Sequence, residues 1–115
     1  MGRIGERLAL RYLRSLGYSY IEKNFRLGRG EIDLIMSQAN ELVFVEVKTR
    51  QSKFGGSFIF DSISQEQQYK LTQTAKGYIR ARMGKKWQGR YRFDAVGIIF
   101  IDQRISEIKI FRNFI

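Results

Sequence analysis

The 115-residue sequence contains no cysteine, no histidine and no proline. The absence of cysteine excludes a disulfide scaffold, a thiolate zinc site, an iron–sulfur cluster and a cysteine nucleophile. The absence of histidine removes imidazole as a base, a nucleophile or a metal ligand. Any chemistry must therefore use carboxylates, lysine, tyrosine, serine or threonine.

Acidic residues are few: 11 Asp and Glu stand against 21 Lys and Arg, which gives a net charge of +10 and a pI of about 10.2. Such a balance indicates a polyanionic partner, either nucleic acid or an anionic membrane surface. The longest apolar run, 95–101, is far shorter than the ~20 residues that cross a membrane, and no apolar signal segment follows Met1. We therefore expect a single cytoplasmic domain over residues 1–115, with no membrane attachment.

The hydrophobic pattern predicts the element order α-β-β-β-α-β-β. Gly17 ends the first helix, Ser64 has the form of an N-cap for the second, and the apolar stretch 42–47 is typical of a central strand covered on both faces. We expect an α/β sandwich with helices at 3–16 and 65–83, strands at 18–27, 31–37, 42–49, 91–101 and 105–111, and a polar loop at 50–56.

The first predicted helix carries arginines on one narrow stripe, namely Arg3, Arg7, Arg11 and Arg14. At about 100° per residue this stripe faces solvent or a polyanion. Glu6 falls instead between Leu10 and Leu13 on the apolar side, where an unpaired carboxylate is unfavourable. Its position requires an explanation.

Residues 31–50 form an acidic segment within a basic chain, with four acidic and two basic groups. A hairpin turning at Ala39-Asn40 would set Asp33 opposite Glu46 and Glu31 opposite Lys48, all on one face. Facing carboxylates repel, so one interpretation is a hard divalent cation between them, Mg²⁺ first and Mn²⁺ second, with Lys48 beside it to hold a phosphate oxygen. The other is an ion-pair ladder in which Glu31 pairs with Lys48 while arginines reach Asp33 and Glu46. Both remain open from the residues alone.

The segment 80–92 carries cations interleaved with aromatics and no acid, which suits nucleic-acid backbone contacts and base stacking. A solvated loop whose aromatics cover the core is the alternative. The candidate contacts are Arg80, Arg82, Lys85, Lys86, Trp87 and Arg90, together with Arg3, Arg7 and Arg11 of the helix. Within the same region, we expect Asp94 to pair with Arg92 in a structural role.

The motifs Gly30-Glu31-Ile32-Asp33 and Val45-Glu46-Val47-Lys48 resemble the YraN family of bacterial predicted endonucleases, within the PD-(D/E)XK restriction-endonuclease-like superfamily. Gly5-Glu6, Gly17-Tyr18, Asn24-Phe25-Arg26, Phe54-Gly55 and Arg92-Phe93-Asp94 extend the resemblance along nearly the whole chain. It implies an α/β/α sandwich with a mixed sheet of about five strands, Mg²⁺ held by the Asp and the Glu-x-Lys, and kinship with archaeal Holliday junction resolvases. It further implies that Glu6 joins the metal site and that the protein forms a homodimer.

We therefore predict a Mg²⁺-dependent endonuclease that acts on DNA, with branched or flapped structures as candidate substrates. Asp33 and Glu46 would hold the metal, Lys48 would stabilise developing charge, and Glu6 and Glu31 would support the site. The alternative is a basic nucleic-acid-binding module whose nuclease-like site is silent.

Overall fold

A computed structural model of the chain describes residues 2–52 and 63–115. Its elements follow the predicted order. They are α1 (Gly2–Ser15), β1 (Ser19–Leu27), β2 (Gly30–Gln38), β3 (Glu41–Gln51), α2 (Gln65–Tyr78) with a π-helical turn at Ile79–Met83, β4 (Arg90–Ile101) and β5 (Arg104–Phe111).

The five strands form one mixed sheet in the order β1-β2-β3-β4-β5. β3 and β4 run parallel, and the other neighbouring pairs are antiparallel. Side chains of β3 alternate between two cores: Val43 and Val45 pack with α1, whereas Leu42 and Phe44 pack with α2. The helices therefore cover opposite faces of the sheet, which confirms the predicted α/β/α sandwich.

Helix α1 ends in a Schellman motif. Gly17 adopts a φ of 91°, the Tyr18 N–H donates to the Leu13 carbonyl at 3.0 Å, and the Gly17 N–H donates to the Arg14 carbonyl at 3.1 Å. Leu13 and Tyr18 are both buried in the core beneath the helix. This end fixes the direction in which the chain enters β1.

The second helix begins as predicted, because Ser64 Oγ accepts the Gln67 N–H at 3.1 Å. It differs at its end, where α-helical geometry gives way to the π-helical turn and the Gly84 N–H donates to the Ile79 carbonyl at 3.0 Å. The predicted loop 50–56 also begins later than expected, because β3 continues through Gln51. Positions 53–56, including Phe54-Gly55, lie outside the described residues.

Candidate functional site

The hairpin of β2 and β3 has the predicted register. Its ladder runs from Gln38 opposite Glu41 to Leu34 opposite Val45, and it stops there. Asp33 and Glu46 are the next positions on the two strands. The Val47 N–H donates at 2.7 Å to Asp33 Oδ2. Because β2 remains paired with β1 and β3 with β4, the strands separate where these two carboxylates lie.

The alternation of side chains changes phase at Asp33. Ile32 and Ile35 both pack in the α2-side core, three positions apart, while Leu34 packs in the α1-side core. On the neighbouring strand Asn24, which would pair with Asp33, is absent from the ladder and adopts a φ of 53°. A regular strand cannot place residues in this way, so the alternation from which Glu31 and Asp33 were predicted to share a face is interrupted at Asp33.

The environment of Asp33 disfavours its ionised form. Burial raises the pKa of this carboxyl to about 7, and the charges of Glu46, Glu6 and Glu31 act in the same direction, against the hydrogen bond from the Val47 N–H. The charges of Glu6, Glu31 and Glu46 therefore all act on Asp33. A positive charge near Asp33 would reduce this electrostatic repulsion and favour the ionised carboxylate.

Glu46 is also half-buried among charged groups, but a neighbouring positive charge partly offsets the effect of burial on its pKa. Burial raises its pKa and so does the charge of Glu31, while the Lys48 ammonium opposes them. Lys48 Nζ lies 3.4 Å from Glu46 Oε1, and the Lys48 side chain is 53% exposed. A half-exposed lysine can turn towards an arriving phosphate.

The predicted contact between Glu31 and Lys48 is absent. Glu31 Oε1 lies 3.7 Å from Arg26 Nε, since the two residues are partners in the β1–β2 ladder, and Lys48 pairs with Glu46. The strands have already separated at these positions. The Glu31–Lys48 step of the ion-pair ladder fails for the same reason.

Glu6 is half-buried and approaches this site from α1. The preceding Gly5 allows the approach, because a Cβ at this position would overlap Thr49 Cγ2 of β3. In the described part of the chain, however, no three acidic side chains converge as a metal-ligand group. Glu6 is therefore near Asp33, but it does not complete a three-carboxylate site with Asp33 and Glu46.

The donor set formed by Asp33 and Glu46 fits Mg²⁺ on chemical grounds. Magnesium prefers oxygen ligands and is commonly bound by one or two carboxylates, with water and substrate phosphate completing the octahedron. Both carboxyls have raised pKa values, so a divalent cation would favour their ionised forms. A metal here would depend on substrate for part of its coordination.

Asp94 is fully buried and plays the structural role that the sequence predicts. Its carboxylate accepts from Arg92 Nε at 3.1 Å, from the Tyr18 hydroxyl at 2.8 Å and from the Asn113 N–H at 3.0 Å. The same arginine donates to Gln38 and Glu41. This network joins the three strands β2, β3 and β4 to the residue that precedes β1 and to the C-terminal segment.

A second feature, which we call the cationic groove, lies on the α2 side. Its volume is about 660 Å³, and its lining comprises Lys76, Ile79, Arg80, Gly84, Lys85, Trp87, Gly89 and Tyr91. Sequence reasoning missed Lys76, although its spacing of four residues from Arg80 on one helix was a usable signal.

The other predicted nucleic-acid contacts lie elsewhere. Arg82 is committed to Glu22, with two hydrogen bonds of 3.2 Å, and Lys86 and Arg90 are exposed outside the groove lining. Arg3, Arg7 and Arg11 are exposed on α1, across the sheet from α2. The basic residues therefore lie on separate surfaces of the molecule.

The protein is therefore an α/β/α sandwich in which two electrostatically coupled carboxylates, Asp33 and Glu46, lie where β2 and β3 separate. Within residues 2–52 and 63–115, no helix is long and apolar enough to cross a membrane. The chain belongs to the family described as "Uncharacterised protein family UPF0102", whose profile matches residues 5–98. This match confirms the family that the motifs predicted.

Curated relatives carry the same family designation. A UPF0102 protein of Cytophaga hutchinsonii is 43% identical over 97 residues, covering 84% of this chain and 82% of that protein. One of Caldicellulosiruptor saccharolyticus is 34% identical over 115 residues, covering 98% and 94%. The UPF0102 protein TTE1452 of Caldanaerobacter subterraneus is 37% identical over 111 residues, covering 96% and 88%. The similarity spans most of each protein.

Proposed function

We propose that this protein is a Mg²⁺-dependent endonuclease of the PD-(D/E)XK type that hydrolyses phosphodiester bonds in DNA. The observation that carries the proposal is the pair of half-buried carboxylates, Asp33 and Glu46, at the point where β2 and β3 separate, with Lys48 Nζ 3.4 Å from Glu46. The net charge of +10 supports a polyanionic substrate. The family resemblance supports branched or flapped DNA and a homodimer; both of these and the cytoplasmic location stay predictions.

In this proposal the residues have distinct tasks. Asp33 and Glu46 hold the metal, and the Asp33 carboxylate is oriented by the Val47 N–H. Bound there, Mg²⁺ would supply Lewis-acid polarisation of the scissile phosphate and of the attacking water. Lys48 turns from Glu46 to a non-bridging phosphate oxygen and stabilises the charge that develops as water attacks phosphorus. The water oxygen forms the new P–O bond and releases a proton to solvent, one ester P–O bond breaks, and the departing oxygen takes up a proton from solvent.

Glu6 and Glu31 support the pair without joining it as a three-carboxylate group. Their charges raise the pKa of Asp33, so they favour cation binding at its position. Glu6 reaches the pair from α1 and Glu31 from the β1–β2 side. Both are positioning residues in this proposal.

The test is a cleavage assay on linear, flapped and four-way DNA with Mg²⁺ or Mn²⁺. We expect Asp33→Asn and Glu46→Gln to abolish cleavage. Lys48→Ala should retain Mn²⁺-induced thermal stabilisation but reduce the rate by about 10²–10³-fold, as loss of one transition-state donor does elsewhere.

The chain offers a matched control for this test. Glu107 and Lys109 form the same Glu-x-Lys pair on β5, with Nζ 3.3 Å from Oε1. Glu107→Gln and Lys109→Ala remove the same charges at the same spacing and should leave cleavage unchanged. Equal losses in both sets of variants would contradict the assignment to Glu46 and Lys48.

A silent binding module is the second candidate, and two observations favour it. Lys48 already pairs with Glu46, and the described residues hold no group of three acidic ligands. This candidate predicts DNA affinity that is indifferent to metal and to Asp33→Asn. No cleavage of any substrate, combined with no stabilisation by Mn²⁺, would establish it over the nuclease.

A further inference from the structure

The cationic groove is chemically different from the carboxylate site. Lys76 and Arg80 line it from α2 and its π-helical turn, and Lys85 lines it from the following segment. Among the described residues, no carboxylate belongs to its lining. Three cations around one concave surface indicate an anionic occupant.

Its aromatic residues are held in fixed positions. Trp87 packs on the α2-side core, and a Cβ on Gly89 would overlap the indole, so the ring lies against the Gly89 backbone. Tyr91 is 36% exposed, and its ring makes edge contacts with Phe44 at 5.9 Å and Phe93 at 6.0 Å. Aromatic rings held in place by packing can stack on nucleic-acid bases. The neighbouring cations can then contact the phosphates of the same strand.

The two arginines that follow Ile79 in the π-helical turn have different surroundings. Arg82 is directed to Glu22 on β1 and stacks near Phe25, whereas Arg80 lines the groove. Because Arg82 is paired with Glu22, it is not available to bind a ligand in the groove. Arg80 and Lys85 are left facing the groove without a carboxylate in its lining.

We infer that this groove binds an unpaired stretch of nucleic acid, with a base stacked on Trp87 and phosphates held by Lys76, Arg80 and Lys85. Bases inside a duplex already stack on each other, so a concave aromatic surface reaches them only in a single strand. The inference rests on the proposed function and names its substrate class. The substrate is a nucleic acid with a single-stranded part.

The groove lies close enough to the carboxylates for one substrate to reach both. In the β3–β4 ladder Tyr91 pairs with Leu42 and Ala95 pairs with Glu46, four residues further along β3. Four strand residues span ~13 Å, which is about four steps of a duplex strand at 3.4 Å per nucleotide and fewer steps of an extended single strand. Cleavage is therefore expected within a few nucleotides of the unpaired segment.

Trp87 is the single tryptophan of the chain, so its fluorescence reports on the groove directly. We would titrate the 115-residue chain, without divalent metal, with a short single-stranded oligothymidylate and with a duplex of equal length. The expected result is saturable quenching by the single strand and little quenching by the duplex. Equal quenching by both, or none by the single strand, would overturn the inference.

Two adjacent lysines provide the matched control. Lys85 lines the groove and Lys86 does not, although both are exposed and carry the same charge. Lys85→Gln should lower the slope of log affinity against log salt by about 0.7 for the single strand, the value of one phosphate contact. Lys86→Gln should leave the slope unchanged, and equal effects of the two variants would contradict a specific groove.

Two substitutions of Trp87 distinguish base stacking from the packing of this side chain on the core. Measured by anisotropy of a labelled oligonucleotide, Trp87→Leu should weaken binding about 5- to 100-fold, while Trp87→Phe should keep most of the affinity. Tighter binding of a polyglutamate peptide than of the oligonucleotide would assign the groove to acidic peptides and reject the inference. Because none of these measurements requires cleavage, single-strand binding without nuclease activity would reject the proposed function alone, and cleavage without groove binding would reject the groove alone.

Discussion

Asp33 keeps a carboxyl group where its charge is unfavourable, so its loss should stabilise the metal-free fold. Its folded-state pKa of about 7 lies above the ordinary 3.8. The stability that it contributes is therefore fully present below about pH 4 and is lost as the pH rises through about 7. At about pH 8 we expect Asp33→Asn to raise the free energy of unfolding by roughly 1–4 kcal/mol, a difference that shrinks below about pH 4. Denaturant unfolding at both pH values measures it, and a less stable variant at the higher pH would contradict it.

Asp94 should respond to the same substitution with the opposite sign. It is buried with Arg92, and removal of its charge leaves that guanidinium without its closest counter-ion. We expect Asp94→Asn to lower the free energy of unfolding by about 3–5 kcal/mol, the usual effect of breaking a buried pair. Thermal unfolding beside Asp33→Asn makes the comparison. If both variants shift the melting temperature in one direction, one of the two assignments is wrong.

Residue-level prediction succeeded where local rules apply. The turn at Ala39-Asn40 predicted the hairpin register, in which Asp33 and Glu46 are the next positions after the last ladder pair. The predicted pairing of Glu31 with Lys48 was wrong because this pairing depends on where the two strands of the hairpin separate. The phase change at Asp33 accompanies the left-handed conformation of Asn24 on a different strand, which no pattern within β2 can reveal.

At the level of elements, the contact between α1 and β3 should be sensitive to one methyl group. Alanine is normally a better helix former than glycine by roughly 0.5–1 kcal/mol. At Gly5, however, the new Cβ would overlap Thr49 Cγ2, so we expect Gly5→Ala to destabilise the fold by about 1–3 kcal/mol.

Thr49→Ser removes the opposing methyl group and supplies the control. In that background Gly5→Ala should become neutral or stabilising in the same denaturant assay. Destabilisation that persists in the double variant would show that the contact does not set the position of α1.

The element boundaries followed the sequence closely except at the end of the second helix. A period of 3.6 residues predicts a helix to residue 83, but it cannot distinguish α-helical from π-helical turns at the end. The difference lies in one backbone hydrogen bond, from the Gly84 N–H to the Ile79 carbonyl. That bond depends on how Tyr78 and Ile79 pack on the sheet, which is tertiary information.

At the level of the whole molecule, positive charge is divided between opposite layers. The stripe of Arg3, Arg7 and Arg11 is exposed on α1, and the cationic groove lies on the α2 side. We expect the triple variant Arg3→Gln/Arg7→Gln/Arg11→Gln to lower the salt dependence of duplex binding by up to about 0.9 per residue. Quenching of Trp87 by single strands should be unchanged. Anisotropy across a salt series measures the first effect, and reduced quenching would show that the two surfaces act as one.

The order of the strands also bears on how the chain folds. Strands β1 to β3 and the pair β4–β5 are joined by short turns, whereas β3 meets its parallel partner β4 only across residues 52–89. Local hairpins form quickly, and closing a long connection is slower because its entropy is lost before its contacts form. We expect pulse-labelled hydrogen exchange during refolding to protect the β2–β3 amides before those of β3–β4, and simultaneous protection would contradict this. The strand that carries Glu46 would then acquire its second neighbour last.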